Sequence, residues 1–292
     1  MNNQDMQTLL KEKDNPDILV IGIIYNTYAE TLRYLESIPV DGCNITVLLV
    51  DNSDIKPDAS FLEKAASYPF LHYHRAGCNS GYFGGAREGL KKFLSENDAL
   101  PRWVLVTNVD IVFGPGFFQQ LSRMGDQPGV GVLAPAIISE KWNIDYNPER
   151  REKYPEARLR FYLLIYSSFL LHNLFLAGAW IKRWFLSSRK MKNRGIEVPR
   201  QGTEKIYAPH GACLVFHRDY FLKGGMLDLP NFLYGEEVFV AETALHLNLD
   251  IVYHPELLVF DYEHASTGFF VTPAQNRYNR QAIRAILDHF YQ

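Results

Sequence analysis

Only three cysteines occur in the 292 residues, Cys43, Cys78 and Cys213, and none of them forms a CxxC pair. Such spacing excludes a disulfide framework and a structural zinc site. An excess of positive charge is missing as well. The formal net charge is -3, which gives no footing for nucleic-acid binding. No internal repeat and no low-complexity tract is present. Met1 to Asp17 is polar, mixed in charge and free of the apolar stretch of a signal peptide, which places the protein in the cytoplasm. What remains is an ordinary globular composition, 47% hydrophobic and 22% charged, in a chain long enough for one large domain or two small ones.

The first half alternates between two periodicities. Asp17 to Tyr25 is a continuous β-branched and apolar run, the mark of a strand buried on both faces. Thr27 to Ser37 carries Leu32 and Leu35 at helical spacing. Ile45 to Val50 is a second buried strand that ends at Asp51-Asn52-Ser53. Phe61 to Ser67 is helical, Leu71 to His74 a short strand, Gly84 to Ser95 a helix and Trp103 to Thr107 a fourth strand. This alternation predicts an α/β fold with a mostly parallel sheet and helices on both faces. In the second half, Gly211 to His217 and Ile251 to Tyr253 read as strands, and Glu237 to Leu247 and Gln275 to Tyr291 as helices. A mixed continuation of the same sheet is expected, giving one domain over 1–292 with a C-terminal helix in 270–292.

Charge is unevenly spread. Residues 145–203 carry a net +7 within a body of -10, and predict a helical, apolar and basic insert. Its centre, Phe161 to Ile181, is 21 residues long with His172 as the sole ionisable group apart from its tyrosines. By length it spans a bilayer, but a single crossing would part Asp110 from Glu237. A helix or helix pair lying on an anionic membrane surface is one reading; a buried helix or a homodimer interface is the other.

Two acidic signals carry the chemistry. Val104-Leu105-Val106-Thr107-Asn108-Val109-Asp110 is a buried strand that ends in an acid, and Asp51 ends another; ligands of parallel sheets bind at these carboxyl ends. Phe232-Leu233-Tyr234-Gly235-Glu236-Glu237 sets a tandem carboxylate before a helix. A strand-end acid holds a divalent cation against phosphates, and a second acid takes a proton from a nucleophile. Structural alternatives are an Asx turn at Asp51 and helix capping at Glu236 and Glu237.

The motif order resembles the family 2 glycosyltransferases of GT-A fold, in particular rhamnosyltransferase-like members of bacterial surface polysaccharide synthesis. The matching segments are Ile23-Ile24-Tyr25-Asn26, Val50-Asp51-Asn52-Ser53-Asp54, Asn79-Ser80-Gly81-Tyr82-Phe83-Gly84-Gly85, Asn108-Val109-Asp110, Gly211-Ala212-Cys213, Met226-Leu227-Asp228, Tyr234 to Glu237 and His264-Ala265-Ser266. They cover about residues 17–135 and 205–268, which leaves the basic segment outside. The resemblance implies inverting transfer from a UDP- or dTDP-sugar to a saccharide or lipid-linked saccharide. Tyr25, Asn26, Asp51, Asn79, Gly81, Gly84, Gly85 and Arg87 would bind the donor nucleotide. Asp110 and His264 would hold Mg²⁺ or Mn²⁺, Asn108, Gly211 and Asp228 would meet the substrate, and Glu237 would act as base beside Glu236. Three positions depart from the family pattern: Asn108 where an aspartate is usual, Glu237 in place of aspartate, and Ala86-Arg87 after the glycines. The first strand is followed by Tyr25-Asn26-Thr27-Tyr28-Ala29, with neither the Gly-x-Gly-x-x-Gly of a dehydrogenase nor the basic glycine loop of a sugar-nucleotide pyrophosphorylase. The alternative function is a catalytically weak scaffold of a membrane polysaccharide assembly complex.

Overall fold

The computed structural model describes residues 16–39, 42–190, 199, 201–262 and 270–291, with the backbone alone for 183–190. The strands are β1 (Ile18–Ile24), β2 (Ile45–Asp51), β3 (Leu71–Arg75), β4 (Trp103–Asn108), β5 (Ile111–Phe113), β6 (Val130–Ser139), β7 (Glu204–Ile206), β8 (Cys213–His217) and β9 (Asp250–Asp261). The helices are α1 (Tyr28–Glu36), α2 (Ala59–Ala66), α3 (Gly81–Glu96), α4 (Phe117–Arg123), α5 (Glu156–Ile165), α6 (Phe169–Lys190), α7 (Arg218–Leu222), α8 (Glu236–His246) and α9 (Pro273–Phe290).

All nine strands join one sheet in the order β3-β2-β1-β4-β8-β6-β9-β5, with β7 also paired to β9. The pairings make β1, β2, β3, β4, β6 and β9 run one way and β5, β7 and β8 the other. The sheet is therefore mostly parallel, and the second half of the chain extends it as expected. Successive β1 side chains go to opposite faces. Leu19, Ile21 and Ile23 pack beneath α3, α8 and α9, while Ile18, Val20 and Ile24 pack beneath α1, α2 and α4. A strand buried on both faces needs this unbroken apolar run.

Because β1, β2 and β4 are parallel neighbours, Ile24 lies opposite Asp51 and Ile23 opposite Asn108. The strand ends Tyr25-Asn26, Asp51-Asn52 and Asn108-Val109-Asp110 thus share one edge. Strand β8 enters from the opposite direction, with Thr107 opposite Cys213. That reversal brings Gly211, from late in the sequence, to the same edge.

Several elements differ from the sequence reading. Helix α3 begins at Gly81, three residues earlier than expected; Asn79 accepts from the Gly81 N–H at 3.0 Å, an Asx turn that leads the chain into the helix. Strand β6 was not anticipated; Pro135 interrupts its propensity, but it sits at a register shift against β9 where its missing N–H is tolerated. The 21-residue apolar stretch is not one helix. It breaks at Tyr166–Ser168 into α5 and α6, which meet at 116°. Among the described residues no single helix is long and apolar enough to cross a membrane. Residues 145–155 are not helical; Asp145 bridges to Ile138 and Arg150 to Ala208.

Helix α8 is held from behind by one carboxylate. Glu242 is fully buried and accepts from Tyr207 Oη at 2.6 Å, Tyr291 Oη at 2.7 Å and Lys153 Nζ at 2.7 Å. Its removal leaves three donors without their partner. Glu242→Ala should cost about 2–3 kcal/mol of unfolding free energy in urea titration. A change below about 0.5 kcal/mol would show that the network does not anchor the helix.

Candidate active site

A cavity of about 290 Å³ opens at the shared strand edge, lined by Ile23, Tyr25, Asn52, Asn79, Gly81, Tyr82, Asn108, Phe232 and Leu233. Its two sides come from opposite halves of the chain. Gly81 has φ +78°, and a Cβ there would lie 1.9 Å from the Phe232 carbonyl oxygen. Only glycine fits both the left-handed backbone and this contact. Asn52, buried beneath, donates to the Gly81 carbonyl at 2.9 Å. Gly85 leaves room for that amide, since a Cβ there would sit 2.8 Å from Asn52 Nδ2.

The β1 and β2 ends are laced together. Asn26, at φ +58°, donates its N–H to Ser53 Oγ at 2.8 Å, and its Oδ1 accepts from the Ile55 N–H at 3.3 Å. Tyr25 is half-exposed and donates to Asp54 at 2.7 Å, which raises its phenol above the ordinary range. Asp51 has no exposed surface. Its Oδ2 accepts from Tyr28 at 3.0 Å, from Arg75 at 3.1 Å and from Tyr73, and its Oδ1 accepts from the Ser53 N–H at 2.9 Å. A ligand at this edge therefore meets Tyr28, Tyr73 and Arg75 before the carboxylate. None of these three was singled out in the sequence, where only their spatial convergence would have marked them.

The tandem acids sit at the start of α8 on strained backbone. Tyr234 has φ +73° and Gly235 φ +87°; a bulky side chain in the left-handed region is uncommon and costs of order 1–3 kcal/mol. Asn231 Nδ2 stabilises this turn by donating to the carbonyls of Leu233 and, at 3.1 Å, Tyr234. Glu236 is buried, and burial followed by the charge of Glu237 raises its carboxyl; N–H groups of Glu236 and Tyr234 oppose the shift. Glu237 is likewise raised by burial, against its own N–H, His210 and the Gly211 N–H. A Cβ on Gly211 would lie 2.7 Å from Glu237 Oε1.

Tyr82 connects this acid to the cavity. It lines the cavity, and its hydroxyl donates towards the carbonyls of Gly211 at 2.7 Å and Val106 at 3.1 Å. Burial is the main reason its phenol is held far above the ordinary range. His210 stacks on Tyr146 with ring centres 5.1 Å apart, and its N–H donates to Asn147 Oδ1 at 2.7 Å. Tyr82 and His210 are further site residues that sequence reading missed as individuals; Tyr82 lies within a motif already noted and His210 directly before one.

Other expected residues lie elsewhere. Arg87 and Gly84 line a separate cavity of about 670 Å³ with Arg284 and Gln281 of α9. Asp228 lines a third, of about 160 Å³, between α8 and the end of α9. His264 lies outside the described residues. Among the described residues no group of three or more His, Cys, Asp or Glu is gathered for a metal ion. Asp110, half-buried at the β4 end, fits a different arrangement: Mg²⁺ and Mn²⁺ accept one or two carboxylates when water and substrate phosphates complete the shell.

Over 264 residues, 86% of this chain and 78% of theirs, the sequence is 26% identical to N-acetylglucosaminyl-diphospho-decaprenol L-rhamnosyltransferase from two strains of Mycobacterium tuberculosis. Among solved structures, TarS 1-349 of S. aureus in complex with UDP-GlcNAc superposes with a TM-score of 0.54 at 13% identity, covering 94% of this chain and 67% of that one. GalNAc-T7 with UDP, GalNAc and Mn2+ also gives 0.54, at 11% identity, covering 94% and 50%. The chain thus spans half to two thirds of these two structures, and the architecture is the GT-A fold of glycosyltransferases. The profile of glycosyl transferase family 2 matches residues 19–223, from β1 through α7 and across the basic segment. The chain belongs to glycosyl transferase family 2.

Proposed function

We propose that the protein is an inverting glycosyltransferase that moves a sugar from a UDP- or dTDP-linked donor to a hydroxyl of a lipid-linked saccharide. The observation that carries this reading is the half-buried Glu237 carboxylate against Gly211, joined through Tyr82 to the cavity at the strand ends. The names of the relatives supply its substrate classes, a lipid diphosphate saccharide and a nucleotide sugar.

The nucleotide lies across the β1, β2 and β4 ends, with Tyr25, Asn79 and the backbone at Gly81 against it. Arg75, Tyr28 and Tyr73, which cover the buried Asp51 carboxylate, meet its base end. Asp110 would hold a divalent cation, whose charge would offset that of the donor diphosphate. Glu237 accepts the proton of the acceptor hydroxyl as that oxygen attacks the anomeric carbon. The bond from this carbon to the diphosphate oxygen breaks, and the nucleoside diphosphate leaves. Displacement on one face inverts the centre. Burial suits Glu237 to the task, because a raised carboxyl is a stronger proton acceptor.

Glu237→Gln keeps the shape and loses the proton acceptor. Turnover should fall about 10²–10⁴-fold, with nucleotide affinity by calorimetry nearly unchanged. Should Glu236→Gln be the more damaging change, the base is Glu236. In the wild type, turnover should decline on acidification with an apparent pKa above 4.5, the ordinary glutamate value, because the base is protonated early.

Asp110→Asn should abolish most Mn²⁺-dependent binding of UDP or dTDP while leaving the melting temperature in place. Retained Mn²⁺ dependence would reject Asp110 as the ligand. Gly211→Ala should push the Glu237 carboxylate aside and lower turnover at least about ten-fold. Full activity in that variant would show that the close approach is not required.

A further inference from the structure

We propose that the α5–α6 hairpin is a docking surface for a bilayer of anionic phospholipid. The inference stands on the hairpin alone and is independent of the transferase reading. Of the eighteen large apolar side chains that are exposed among the described residues, eight lie between Phe161 and Ile181. Leu164 is 63% exposed, Leu170 65%, Leu174 59% and Trp180 53%. A patch of this density on a soluble chain marks an interface.

Orientation makes the point sharper. Two polar residues of α6, His172 and Asn173, face the protein. His172 is buried, its Nδ1 2.8 Å from Asn276 Oδ1, and Asn173 Oδ1 accepts from the Val271 N–H at 3.1 Å. Asn276 in turn donates to the Tyr166 carbonyl at 3.2 Å. Leu170, Leu171 and Leu174 face away. A helix that packs as part of a soluble core shows the reverse arrangement. The fold therefore consumes the polar side of α6 and leaves its apolar side for another phase.

Charge selects that phase. Between α5 and α6 runs a groove of about 470 Å³ floored by Phe161, Tyr162, Phe175 and Gly178 and lined also by Arg158 and Lys182. From Glu156 to Lys182 there are three basic residues and one acid, and residues 183–194 add five Lys or Arg and no acid. Anionic headgroups complement this surface, with apolar side chains in the headgroup–acyl boundary. A second copy does not complement it, because a two-fold interface sets the same basic patch against itself.

The test is co-sedimentation of the full chain with phosphatidylglycerol-containing vesicles and with pure phosphatidylcholine vesicles. Binding should favour the anionic vesicles and weaken with added salt. Combined Leu170→Ser, Leu174→Ser and Trp180→Ser should lower the partition coefficient at least about ten-fold, and Arg158→Gln with Lys182→Gln by about five-fold per charge. These positions are exposed, so UDP binding and melting temperature should hold in both variants. Vesicle binding that survives the serine substitutions overturns the proposal. So does a wild type that ignores anionic vesicles, including one that instead dimerises through this face and becomes monomeric in the serine variant. Loss of UDP binding in the wild type would count against the transferase reading and leave the docking result to stand or fall separately.

Discussion

The candidate site depends on a backbone-to-backbone contact between Gly81 and the Phe232 carbonyl. With a Cβ at position 81 only 1.9 Å from that oxygen, no other residue lets the two halves of the chain close on each other. Around this contact lie Asn52 beneath it and the cavity walls given by Phe232 and Leu233. The tandem acids follow four and five residues later. A glycine-rich loop here is thus explained by packing between protein segments, with ligand binding built upon it.

Two adjacent carboxylates, one buried and one half-buried, are costly, and the surrounding structure is arranged to tolerate them. Backbone N–H groups of Tyr234, Glu236, Glu237 and Gly211 all point at the pair. The left-handed Tyr234-Gly235 turn positions the donors of Tyr234, Glu236 and Glu237, the Gly211 N–H comes from the segment before β8, and Asn231 holds the turn's carbonyls. Further back, Glu242 fixes the same helix to Tyr207 and Tyr291. Strain at the front of α8 is sustained by satisfied hydrogen bonds at its rear, which is how distorted backbone persists at functional sites.

Much of the sheet was legible in the sequence because its strands are buried on both faces and so read as unbroken apolar runs. β1, β2 and β4 were found this way, and with them the edge where Asp51 and Asp110 sit. β6 escaped because Pro135 interrupts the pattern and only pairing with β9 accounts for it. The glycine loop and the tandem acids were visible as motifs, but their partners were not. Arg75, Tyr28 and Tyr73 converge on Asp51 from β3 and α1, and His210 reaches Glu237 through chain reversal at β8. Convergence of that kind depends on strand order, which no local pattern contains. Asp228 and Arg87 show the converse: both belong to recognisable motifs, yet they line cavities other than the one at the strand ends.

The way α6 is attached to the body has a consequence for its behaviour when the surrounding medium changes. Helices fastened by leucine packing rely on water to drive the contact, and hydrocarbon or detergent solvates them loose. The fastening here includes His172 to Asn276, Asn173 to Val271 and Asn276 to Tyr166. Hydrogen bonds of this type strengthen as the dielectric constant falls. The joint between hairpin and catalytic body is therefore one that tightens in an apolar medium, and it keeps a fixed geometry between them where a greasy joint would slip.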